Sequence, residues 1–121
     1  MKLIPVFHYS ISVPFQPPYN FAVTAISSTS IAASWQLPPA DTNNGIIRGF
    51  KLFFKKKASA GSGNTEVFSG TTFTKTFTNL LKYTEYEFQV WAFSSAGDGP
   101  KSDLLSNRTN EDGKLVGTSV P

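Results

Sequence analysis

The 121-residue chain contains no cysteine. That absence excludes a disulfide framework, a thiolate metal site and a cysteine nucleophile. It does not assign a compartment, because a secreted domain with an adequate core needs no disulfide. Histidine is nearly absent too: the single one, His8, lies ahead of the first strand-like pattern. The serines and threonines therefore lack an imidazole base, and neither a Gly-rich phosphate loop nor a metal-ligand spacing is found. Glu85 and Glu87 form a carboxylate pair two residues apart on one predicted strand, where their shared face should be solvated. These absences argue against an enzyme, a cofactor and a metal. Charge is sparse, at 16% of residues with a net +3, and no apolar run approaches the roughly 20 residues of a membrane-spanning helix. Helical periodicity is missing throughout, as is any repeat of 20 to 50 residues.

Aromatic residues are abundant. Eleven Phe, two Trp and four Tyr can bury roughly 150 to 250 Å² each, enough to supply most of the core of one small β-domain. Residues 1–16 read as a leader or linker. Met1 to Phe15 carries a lysine and then apolar residues, as a secretory signal does, but Pro5, His8 and Pro14 interrupt it and no small-residue cleavage site follows. Pro17 and Pro18 lack backbone donors and suit the entry to an edge strand.

From there the chain alternates with period 2 between turn signals. Phe21, Val23 and Ala25 mark a first strand, and Ile31, Ala33 and Trp35 share a face of the second, Ser30 to Gln36. Pro38, Pro39 and Asn44-Gly45 close that strand. In a third, Ile47 to Lys55, the alternation sets Phe50, Leu52 and Phe54 against Gly49, Lys51, Phe53 and Lys55. A Gly- and Ser-rich loop from Lys56 to Asn64 precedes short strands at Thr65 to Ser69 and Phe73 to Leu80. Tyr86, Phe88, Val90 and Ala92 then face inward along a long strand that ends near Phe93. A turn at Ser94 to Pro100 leads to the last strand, Asp103 to Thr109, and residues 110–121 read as a tail or linker. Seven short strands of this kind predict an all-β, two-sheet immunoglobulin-like sandwich, with Trp35, Phe50, Leu52, Leu80, Tyr86, Phe88 and Val90 in its core.

Residues 17–109 resemble a fibronectin type III domain. The resemblance rests on Pro17-Pro18, Trp35, Gly49-Phe50 with Leu52, the Leu80, Thr84, Tyr86 corner, Val90 and Ala92, and Ala96-Gly97-Asp98-Gly99-Pro100-Lys101-Ser102. Three positions depart from the family pattern. Lys82 stands where the corner usually has proline, Phe50 where tyrosine is common, and Asn107 where the last strand often has an apolar residue. The resemblance implies a non-catalytic interaction or spacer module of a larger adhesion or receptor protein, extracellular or at the cell surface, and structural roles for Trp35 and Tyr86. An intracellular muscle-type scaffold is the less favoured setting.

Three candidate sites follow. Phe53, Trp91 and Phe93 should project from one face as a cluster of large aromatics flanked by Lys51 and Lys55, the composition of a protein-binding surface. The alternative is that lysine stems cover these rings and stabilise the sheet without a partner. Lys51, Lys55, Lys56 and Lys57, with Lys75, form a candidate site for a sulfated polysaccharide. Nucleic acid is disfavoured because no recognised nucleic-acid module is present. Asn107-Arg108-Thr109 is a glycosylation sequon. The isolated domain should be monomeric.

Overall fold

A computed structural model describes residues 16–38 and 47–111. The predicted leader, the predicted tail and the Asn44-Gly45 turn lie outside these residues, apart from Gln16, Asn110 and Glu111. Eight strands follow in order: β1 (Tyr19–Ala25), β2 (Ile31–Gln36), β3 (Gly49–Lys56), β4 (Asn64–Ser69), β5 (Thr74–Phe77), β6 (Glu85–Ser94), β7 (Gly97–Asp98) and β8 (Leu105–Arg108). One sheet has the order β1-β2-β5, and the second has β4-β3-β6 with both β7 and β8 paired to β6. Every pairing is antiparallel. The two sheets form the predicted sandwich.

The strand count is eight rather than seven because the last strand is interrupted. Gly99 and Ser102 donate their N–H groups to Ala92 and Val90 carbonyls at 2.8 Å each, while Pro100 has no N–H to give. At the gap the Ser102 hydroxyl accepts from the Val90 N–H at 3.0 Å and donates to the Asp103 carbonyl at 3.0 Å. A side chain thus replaces a missing rung of the ladder. Ser102→Ala leaves the Val90 N–H buried without an acceptor, and the expected loss is about 1–3 kcal/mol by urea titration. A change below about 0.5 kcal/mol would show that the gap admits water.

Strand five is also shorter than Phe73 to Leu80, since only Thr74–Phe77 pairs with β2. Past Phe77 the chain turns: Asn79 has φ of 59°, and the Leu80 N–H bonds the Thr29 carbonyl of the β1–β2 turn at 2.9 Å. Leu80 accordingly packs at the margin of the core, half-buried, whereas the other six predicted core residues are buried.

Between the sheets, Ile31, Ala33 and Trp35 of β2 meet Phe50 and Leu52 of β3 and Tyr86, Phe88, Val90 and Ala92 of β6. Rings carry much of the contact. Trp35 lies 5.9 Å from Phe50 and 5.6 Å from Phe68, and Phe54, Phe77 and Phe88 form a second group with centroids 4.4 to 6.4 Å apart. The Phe54–Phe88 pair is stacked and the others are tilted, both favourable arrangements for aromatic rings. Tyr86 closes the corner: its hydroxyl accepts the Leu81 N–H at 2.9 Å, which satisfies a turn donor from inside the fold. The adjoining Thr109 hydroxyl accepts from the Thr84 N–H at 2.9 Å and donates to the Leu81 carbonyl at 2.7 Å.

Both open sides of the sandwich are tied by polar groups. Lys75 of β5 pairs with Glu66 of β4 at 3.5 Å. On the opposite side the Asn107 amide of β8 donates to the Val23 carbonyl of β1 at 2.8 Å. Asn107 pairs with Tyr86, and its amide explains the polar residue at this place in the last strand.

Candidate interaction face

The outer face of the second sheet is set by the alternation of β3 and β6. Because Phe50, Leu52, Phe88 and Val90 point inward, Lys51, Phe53 and Lys55 point outward from β3, and Glu87, Gln89, Trp91 and Phe93 from β6. Lys51 lies opposite Trp91, Phe53 opposite Gln89, and Gly49 opposite Phe93. Val67 of the edge strand β4 stands opposite Lys51 and is 59% exposed.

The predicted aromatic cluster shares this face, but its exposure differs from expectation. Trp91 is only 6% exposed, and the Lys101 ammonium lies 4.5 Å from its ring centroid. Phe93 is half-buried: the Lys51 ammonium lies 5.1 Å from its centroid, and the ring edge covers Gly49. Phe53 is half-buried against the loop at Gly63. Lysines thus lie over Trp91 and Phe93 but not over Phe53, with each such contact contributing about 0.5–1 kcal/mol at an exposed site. The indole N–H of Trp91 is buried without a hydrogen-bond partner among the described residues.

The lysines are divided rather than gathered. Lys51 pairs with Asp98 at 2.9 Å. Lys55 donates to the Ser59 carbonyl at 2.9 Å and lies 3.9 Å from Glu87. Lys57 lies 3.6 Å from Glu85, at the far end of the sheet, and Lys75 is on the other sheet. The folded chain instead brings Lys56 and Lys57 beside Arg108, Leu81 and Tyr83 around a cavity of about 520 Å³. Sequence reasoning missed the last three. One signal was present: Tyr83 is a bulky residue inside a turn, outside any alternating run. Among the described residues there is no group of three or more His, Cys, Asp or Glu able to hold a metal, and no helix long and apolar enough to cross a membrane.

The Asn107 amide nitrogen, the atom a glycan would modify, is the one engaged with the Val23 carbonyl. The sequon threonine, Thr109, is buried.

Two antiparallel sheets in this order, a core tryptophan and a tyrosine whose hydroxyl closes the turn before its own strand define an immunoglobulin-like sandwich built as a carrier of surfaces. The chain belongs to the fibronectin type III family, whose domain profile matches residues 16–108. It is 38% identical over 103 residues to protein sidekick-1 of Gallus gallus, covering 84% of this chain and 5% of that protein. It is 39% identical over 105 residues to the tyrosine-protein phosphatase Lar of Drosophila melanogaster, covering 83% of this chain and 5% of that protein. Other relatives include cell adhesion molecules and a netrin receptor. The chain therefore spans only a small part of each relative, and in the phosphatase it matches only a fibronectin type III region. The solution structure of the fn3 domain of human contactin 1 superposes with a TM-score of 0.72 at 21% identity, covering 98% of this chain and 96% of that one, a likeness of fold.

Proposed function

We propose that the chain is a non-catalytic protein-interaction and spacer module within a larger adhesion or receptor protein, exposed at the cell surface, with residues 17–109 as its folded unit. The observation that carries this reading is its kinship, over more than four-fifths of its length, with segments of cell-adhesion and guidance receptors. The sandwich supplies stiffness, and the outer face of β4, β3 and β6 supplies contact area. Phe53, Phe93 and Val67 offer apolar surface there, and Lys51 and Lys101 offer charge over ring faces. A partner that displaces the lysine ammonium groups would uncover Trp91 as an anchor.

Fluorescent tetramers of the full chain, applied to a panel of adherent cells, test the face. The variant Val67→Glu changes one exposed side chain and leaves Lys101 over Trp91, so its melting temperature should move by less than about 4 °C. Staining by wild type and its loss in the variant is the expected result. Equal staining by both would move the contact to another surface, and no staining by wild type would leave the spacer role alone.

A further inference from the structure

The corner between β5 and β6 holds Tyr83 at φ of 47°, a left-handed conformation that disfavours side chains and that glycine adopts freely. The residue there is nevertheless an aromatic, and it does not serve the core. Tyr83 is 55% exposed, and its ring lies beneath the Arg108 guanidinium, 4.7 Å from the centroid. Leu81, two residues earlier, is 54% exposed. A costly backbone conformation that presents an unburied ring marks a candidate contact site. Charge points the same way. Lys56, Lys57 and Arg108 border the cavity against one carboxylate, Glu85, which Lys57 and Arg108 already share at 3.6 and 3.4 Å. Exposed Lys56 has no carboxylate partner among the described residues.

We infer that this cavity binds an acidic segment of a partner protein in which an apolar side chain stands beside Asp or Glu. Leu81 and Tyr83 receive the apolar group, and Lys56, Lys57 and Arg108 meet the carboxylates. A sulfated polysaccharide would use the cations but leave Leu81 and Tyr83 uncovered. The lysines that would extend a track for it, Lys51 and Lys55, are held by Asp98 and Glu87. This inference deepens the reading of the chain as a protein-interaction module, but it concerns the far end of the sheet from Val67 and Lys101, around the Tyr83 corner, so either can fail while the other stands.

The test is an NMR titration of the full chain with a twelve-residue synthetic peptide of Asp and Glu around a central Leu-Phe pair, near-physiological salt throughout. Saturable shifts confined to Lys56, Lys57, Leu81, Tyr83 and Arg108, with a Kd of about 1 mM or tighter, are expected. Lys56→Glu with Lys57→Glu should weaken binding about tenfold or more, as should Tyr83→Gly, which relieves the positive φ and so keeps the fold. Absent shifts, shifts on another surface, equal binding of a peptide with Lys in place of Asp and Glu, or response to a heparin hexasaccharide alone would each overturn the proposal. The last would make the cavity a sugar site.

Discussion

Trp35→Ala is expected to lower unfolding free energy by about 3–5 kcal/mol, the usual loss for an aromatic truncated in a packed core. Trp35 is 2% exposed and joins Phe50 of β3 to Phe68 of β4 from the opposite sheet, so its removal opens a cavity that both sheets line. A small domain has about 5–15 kcal/mol in total, so this one change consumes a large share. Partial relaxation is resisted because Phe50 is also held by Phe73, at 5.6 Å. Trp35→Phe should cost much less. It keeps an aromatic in place and removes an indole N–H that is buried without a partner among the described residues. Thermal melts of the two variants decide the matter: equal melting points would show that ring volume is not what Trp35 contributes.

The second large effect comes from the smallest residue. A Cβ at Gly49 would collide with the Phe68 carbonyl oxygen and lie 2.9 Å from two carbons of the Phe93 ring. The carbonyl belongs to the backbone of the neighbouring strand and cannot swing aside as a side-chain tip can. Gly49→Ala should therefore destabilise by about 1–3 kcal/mol or somewhat more, through overpacking rather than loss of contact. Glycine within a strand is ordinarily a weakness, and here, at the first residue of β3, the ring of Phe93 across the pair covers the bare backbone. A double variant, Gly49→Ala with Phe93→Ala, separates the two clashes. A double-variant loss smaller than the sum of the two single-variant losses would assign part of the strain to the ring, and additive losses would assign it to the Phe68 carbonyl.

Both results bear on function, because they limit which outer-face residues are available. Phe93 is committed to Gly49 and Trp91 is covered by Lys101, so the face offers less aromatic surface than three outward rings would suggest. The corner at Tyr83 offers more than its sequence suggested, because the backbone there turns the ring away from the core.

Much of the architecture was legible in particular residues. Trp35, Phe50, Leu52, Tyr86, Phe88 and Val90 lie where alternation placed them, since the face of a strand depends only on whether a position is odd or even along a short run. The corner was legible for a similar reason: Leu80, Thr84 and Tyr86 are within seven residues, and the hydroxyl reaches Leu81, five residues back. The interrupted last strand was not, because Ser102 completes its ladder by bonding Val90, twelve residues away. Lysine cover of the outward rings was one of two readings, but that Lys101 from beyond a turn lies over Trp91 was not legible, nor was the cavity, which needs β3, the corner and β8 side by side. The sequence by itself determined which residues face in and which face out, because that choice is local. Tertiary structure alone decided which outward residues remain exposed and which charges meet, because cover and pairing come from segments distant in the chain.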